Sequence, residues 1–181
     1  MPQNNVLQAA LAYILRNEGG FVNIAADKGG PTNFGITQDD LSEWRKRPVG
    51  PDAVKYMTAD EAENIYWEYY LKPMAIDQLT SKPIALCLAD TGVLYGPGTA
   101  LHYAQTVCNG YGYQLNVDGI TGPKTITALN SVNPDLFVKD FHGLLMLRIA
   151  KIITDDASQE QFRKGWTARA DRLLNLTKEN A

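Results

Sequence analysis

The sequence predicts a mainly helical protein with one small β-hairpin near residues 21–36. Three observations carry that expectation. Apolar residues recur at spacings of three and four through most of the chain, the period of a helix with one buried face. Residues 21–37 break the period: Gly29, Gly30, Pro31 and Gly35 crowd together, and Thr32, Phe34 and Ile36 alternate with Asn33 and Gly35. The totals then bound the size, since 181 residues at 45% hydrophobic and 20% charged suit a soluble chain with a real core in one or two lobes.

The first helix is marked by Val6, Leu7, Ala10, Leu11, Ile14 and Leu15 on one stripe, with Glu18 continuing it. Gly19 and Gly20 supply the backbone freedom that ends a helix. If residues 32–37 form one regular strand, Thr32 and Thr37 point to opposite faces, and only one can line a site. Thr37 reads as the N-cap of a helix carrying Leu41 and Trp44. Residues 46–56, with Pro48, Gly50 and Pro51, read as a loop. Thr58 and Glu61 form a capping-box pattern ahead of a helix with Ala62, Ile65, Tyr66, Tyr69 and Tyr70 on one face, closed by Pro73. A further helix is expected from about Pro83 to Tyr95, with Ile84, Cys87, Leu88 and Thr91 inward.

Gly96, Pro97 and Gly98 then break the chain. A short stripe, Leu101, Ala104, Val107 and Cys108, ends at Asn109 and Gly110. The turn VDGITGPKT, residues 117–125, leads into another helix with Pro123 near its first position. Asn133 and Pro134 start a long helix through Phe137, Phe141, Leu145 and Ile149. A polar break at 154–158 separates it from a last helix bearing Phe162, Trp166 and Leu173.

Several classes are disfavoured. A formal charge of -3 offers no global field for nucleic acid. No run approaches the roughly 18 apolar residues of a membrane span. The start, MPQNNVLQAALAYILRNE, lacks the basic region and cleavage site of a secretory signal, so the chain is expected to be made in the cytoplasm and to stay there unless something else releases it. Cys87 and Cys108 form no disulfide framework and read as buried thiols; with His102 and His142 they match no zinc spacing. Both histidines read as structural or surface residues.

The acids point to chemistry. Cleaving a glycosidic bond needs one protonated carboxyl to protonate the leaving oxygen and one ionised carboxylate to activate water or attack the sugar. Glu18 sits on the apolar stripe at the negative end of its helix, and both placements disfavour its charged form. Asp27, nine residues later beside Lys28 and glycines, sits in a polar turn that keeps it charged. Thr32 is placed to position the attacking water. The bland readings are an exposed helix-end Glu18, a turn Asp27 and a filler Thr32.

The segments EGGFVN, GGPTNFGIT and VDGITGPKT together resemble glycoside hydrolase family 108, the N-acetylmuramidases found among phage endolysins and secretion-associated bacterial proteins. The likeness spans roughly residues 6 to 175. It implies a lysozyme-like fold, a catalytic lobe over residues 1–92 and a predicted peptidoglycan-binding lobe over 93–181, packed as one unit. It places the family's catalytic glutamate on Glu18. Where the family often reads Val-Asn-Asp, this chain has Val22, Asn23 and Ile24, which favours Asp27 as the base. Near Asp90 a common Val-Asn pair is replaced by Val93 and Leu94.

The resulting expectation is a muramidase acting on the bond between N-acetylmuramic acid and N-acetylglucosamine. Glu18, Asp27 and Thr32 are its catalytic set; Asn33, Thr37, Trp67, Tyr70 and Asp90 are its substrate-binding candidates. Tyr66 and Tyr70 lie on the apolar stripe, whereas Trp67 lies off it and reads as a cleft or exposed aromatic. Asp90, inside an apolar helix, needs a partner if buried. No metal or organic cofactor is required. Peptidoglycan strands are the expected partner and the protein a monomer. Arg163, Lys164, Arg169 and Arg172 give the last helix a solvated face, with a weak outer-membrane or lipopolysaccharide contact through 158–176 as the sharper reading. The rivals are a lytic transglycosylase, which needs one Glu and no base, and a non-catalytic wall-binding protein of a secretion or tail assembly.

Overall fold

The computed structural model describes residues 4–22 and 30–176. Asp27 lies outside the described residues. Helix α1 (Asn5–Glu18) begins at Asn4, whose side chain accepts from the Val6 amide, and ends at Gly19, whose φ of 79° suits glycine. Its buried face is Leu7, Ala10, Leu11, Tyr13 and Ile14.

The hairpin that follows is tighter than a single alternating strand. Strands β1 (Thr32–Asn33) and β2 (Ile36–Thr37) pair antiparallel, Thr32 with Thr37 and Asn33 with Ile36. The two-residue loop between them takes φ of 51° at Phe34 and 74° at Gly35, the positive pair that a tight hairpin with native twist demands. Tyr66 donates its hydroxyl to the Phe34 carbonyl at 2.6 Å and holds the loop there. Thr32 and Thr37 are therefore cross-strand partners on one face, which corrects the expectation that they point apart. The turn reverses the chain between them, so counting residues along one strand does not apply. Val22 adds a short third arm, exchanging two 2.8 Å backbone hydrogen bonds with Thr32.

Thr37 caps α2 (Gln38–Trp44) as expected, and Asp40 reaches back to the Thr37 amide to complete a reciprocal cap. Residues 46–56 are not all loop: Pro51 starts a short helix α3 (Pro51–Lys55), since proline's fixed φ suits a first turn. At α4 (Ala59–Tyr66) Thr58 accepts from the Glu61 amide, but the Glu61 carboxylate goes to Arg45 instead of back to the cap. Only half of that expected box forms. After α4 the helix widens into a π-turn over Trp67–Leu71. Trp67, its first residue, is buried at 7% exposure. Trp67 is thus neither a cleft residue nor an exposed aromatic.

Helix α5 (Lys82–Tyr95) is the axis of the molecule, with every residue from Ile84 to Gly92 buried. It has no polar stripe because neighbours cover it all round: α1, α6 (Pro97–Gly110), α8 (Pro134–Asp155) and α9 (Arg163–Asn175) all pack on it. Gly96, at φ 88°, serves as both the end of α5 and the start of α6, so the expected break is a one-residue corner. Helix α7 (Pro123–Ser131) follows the VDGITGPKT turn with Pro123 in its first turn. A 3₁₀ segment, Ala157–Phe162, joins α8 to α9, and His142 of α8 meets Asp171 of α9 at 2.9 Å. One continuous apolar cluster runs from Leu7 to Leu173, through both halves of the chain. Cys87 and Cys108 are free and buried within it.

Candidate active site

Glu18 sits where α1 meets the hairpin. Its side chain is 19% exposed and lines a cleft of about 190 Å³ with Gly35, Ile36, Asp40, Tyr66, Tyr69 and Tyr70. The hairpin loop forms one wall because Gly35 has no side chain. A Cβ there would lie 2.9 Å from each of Glu18 Cβ, Glu18 Oε2 and the Tyr66 hydroxyl oxygen. Tyr69 and Tyr70 offer ring faces along the rim, with Tyr69 39% exposed and edge-on to Trp44. Burial, and then the Glu18 carboxylate, push the Tyr66 hydroxyl well above the usual tyrosine range.

Behind the cleft lies a residue that the sequence reading placed on a solvated face. Arg169 of α9 points inward, its own side chain 18% exposed. Its Nη2 donates to Glu18 Oε1 at 2.9 Å and its Nε to Asp90 Oδ1, also at 2.9 Å. The apolar surrounding expected for Glu18 is thus only part of its environment, since a guanidinium holds one of its oxygens. Asp90, 3% exposed at the side chain, has the partner its burial requires. Burial pushes the Asp90 carboxyl above the usual carboxylate range, and Arg169 offsets this only in part. Tyr13, beside it, is pushed up to about 12 by burial and next by the Asp90 charge. Burial pulls the Arg169 guanidinium down, but Asp90 and Glu18 outweigh it and hold it above its ordinary value.

The remaining candidates separate clearly. Glu18 and Tyr70 line the cleft. Asp90 reaches it through Arg169. Thr32 and Thr37 are on the hairpin but outside the cleft lining, and the Thr37 hydroxyl donates to Asp40 at 2.7 Å. Asn33 is buried, and its amide donates to the carbonyls of Val54 and Lys55, so it fastens the hairpin to the end of α3 instead of facing a substrate. Asp40 and Tyr69 are cleft residues that the sequence reading did not select. A signal for Arg169 was present: Trp166, Arg169, Ala170 and Leu173 share helical spacing, so a cation sat on the inward stripe of α9. On the outer side of this region Arg163 is paired with Glu160. The basic face proposed for 158–176 is correspondingly smaller.

A larger concavity, about 490 Å³, lies elsewhere, lined by residues of the VDGITGPKT turn and by Gln114, Leu115 and Asn116. It holds a single carboxylate, Asp118, already bonded by Gln105 and the Ile120 amide, and so lacks the paired acids of glycosidic cleavage. Glu18's smaller cleft is the chemically equipped one.

Residues 11–96 match the family model described as Glycosyl hydrolase 108, and residues 99–171 match the one described as Predicted Peptidoglycan domain. Among solved structures, that of Brucella abortus SagA is 30% identical with a TM-score of 0.73, covering 93% of this chain and 91% of that one. No curated protein matches significantly. An acid-bearing cleft within residues 11–96, a match to the peptidoglycan model after it and a solved structure 30% identical over most of both chains lead to one assignment: the chain belongs to glycosyl hydrolase family 108 and is a glycoside hydrolase acting on peptidoglycan.

Proposed function

We propose that the protein is an N-acetylmuramidase that hydrolyses the bond between N-acetylmuramic acid and N-acetylglucosamine, in the manner of a lysozyme. The observation that carries this reading is Glu18: a carboxyl with one oxygen held by Arg169 and the other without a hydrogen-bond partner among the described residues, in a cleft flanked by tyrosine rings. Its other oxygen, Oε2, faces the gap left by Gly35. A glycosidic oxygen entering that gap takes the Glu18 proton as the C1–O bond breaks and its electrons pass to the oxygen. Water then adds at C1 and yields its proton to a carboxylate, for which Asp27 is the proposed group. Thr32 is proposed to orient that water. The rings of Tyr69 and Tyr70 supply apolar faces for sugar packing. Action as a phage or prophage endolysin is the biological setting we attach to this chemistry.

The test is digestion of purified peptidoglycan with product analysis by mass spectrometry. Reducing ends at muramic acid are expected, and Glu18→Gln should lower their release by about 10²- to 10⁴-fold, the weight of a general acid. Asp27→Asn should lower it as well. Products ending in 1,6-anhydromuramic acid would replace hydrolysis with transglycosylation. Unchanged cleavage by Glu18→Gln would remove the site.

A further inference from the structure

We propose that Arg169, supplied by the segment that matches the peptidoglycan-binding model, is a positioning residue for the acid, and that Asp90 is the counter-charge that keeps its hold on Glu18 partial. The proposal rests on reading Glu18 as the general acid. It assigns the second segment a part in cleavage as well as in wall binding.

The geometry is a single guanidinium shared between two carboxylates from two other helices. Glu18 ends α1, Asp90 lies in the buried middle of α5, and Arg169 projects from α9. Both bonds are 2.9 Å, and they use different nitrogens of one planar fork. That fork fixes the direction of Glu18 as well as its distance, because a guanidinium donates in its own plane. With Oε1 occupied, only Oε2 is left to meet substrate.

Charge balance gives Asp90 its part. With both acids ionised the trio carries one net negative charge in a largely dry site; with one proton bound it is neutral. Two carboxylates close together hold a shared proton more readily than either alone. Asp90 therefore competes with Glu18 for the same guanidinium, and Arg169 faces the charge that appears on Glu18 once the proton has gone to the glycosidic oxygen. Among the described residues, the other titratable groups facing Glu18 are Tyr66 and Tyr70, and Asp40 across the cleft. None of them supplies a positive charge.

The two roles act on the pH–rate profile in opposite senses, which a purely structural role would not do. A general acid loses activity as pH rises through its ionisation, so the alkaline limb reports Glu18. Arg169→Met should move that limb to higher pH by roughly 1 unit or more, the usual effect of a carboxylate losing an adjacent arginine. Asp90→Asn keeps the hydrogen-bond acceptor but removes the charge, and should move the limb to lower pH. In both variants kcat should fall while KM stays within about twofold, since neither residue lines the cleft. Arg169→Met leaves Asp90 buried without its cationic partner; if it does not fold, Arg169→Lys, which keeps the charge but loses the fork, should fold, with kcat reduced and the limb near its original position.

Measurements on the full chain with peptidoglycan, alongside melting curves, decide the matter. Opposite shifts support the proposal. Shifts in the same sense, or no shift in a folded Asp90→Asn protein, overturn it. If Glu18→Gln retains cleavage, the acid assignment itself has failed; if Glu18→Gln is inactive and the limbs do not part, only the role of Arg169 and Asp90 has failed.

Discussion

Gly35→Ala is the sharpest probe of how the hairpin serves the site. Gly35 has φ of 74°, where a side chain costs about 1–2 kcal/mol in any surroundings. Its added methyl would also sit 2.9 Å from three atoms, against the 3.4–4 Å of ordinary contact. None of the three can yield easily. Glu18 Cβ is anchored to the α1 backbone, Glu18 Oε2 belongs to a carboxylate tied to Arg169, and the Tyr66 hydroxyl is bonded to the Phe34 carbonyl. The loop or the carboxylate must move by roughly half an ångström. Strain and overpacking together should cost about 2–4 kcal/mol, or roughly 5–12 °C in Tm for a chain of this length. Displacing the acid should lower kcat by up to about 10²-fold, the scale of an ångström-sized misplacement.

Gly112→Ala separates the two effects. Gly112 has φ of 90°, yet nothing lies within 4 Å of its Cβ position. It should show the backbone cost alone, about 1–2 kcal/mol, with activity near that of the unmodified protein. The assays are thermal unfolding and release of reducing ends, measured well below the lower Tm. Equal activity in the two variants would refute the claim that Gly35 is small in order to clear the Glu18 carboxylate.

Two further outcomes follow from the framework. Gln105, 1% exposed, donates to Asp118 Oδ1 and the Ile120 carbonyl and accepts from the amides of Asp118 and Gly119, so Gln105→Leu should destabilise the protein by about 2–3 kcal/mol in urea unfolding; an unchanged midpoint would show that this staple is not needed. Arg45 grips Glu61 with two nitrogens, at 2.8 and 2.6 Å, and holds its carboxyl below the ordinary value of 4.5. A depressed carboxylate stabilises the fold above its unfolded pKa and loses that contribution as pH falls through the folded one. Glu61→Gln should therefore cost up to about 1 kcal/mol at pH 7, a cost that shrinks as the pH drops below 4.5; a pH-independent difference would count against the ion pair.

Much of this molecule was legible in short stretches of sequence. Caps at Thr37, Thr58 and Asn133, the glycines that end α1, and the prolines that open α7 and α8 all act within one turn of backbone, so neighbouring residues specify them. The same holds for Glu18, whose position at the end of an apolar stripe put it at a cleft, and for Asp90, whose apolar helix required a hidden partner. Periodicity failed where the helix itself changed pitch. Trp67 lies off the apolar stripe of α4 yet is buried, at the point where that helix passes into a π-turn. Thr32 and Thr37 came to face one way because the chain reversed between them.

Arg169 marks the boundary between the two kinds of information. Its place on the inward stripe of α9 could be read from spacing; its partners could not, since Glu18 lies 151 residues away and Asp90 lies 79. Hydrogen bonds along a helix connect near neighbours and leave local marks in the sequence. An ion pair among three helices exists only once apolar burial has packed them around α5, and that packing depends on the whole chain at once. The sequence alone determined where the helices run and which carboxylates they carry inward; tertiary packing decided that one guanidinium joins those carboxylates behind a cleft bounded by a glycine turn.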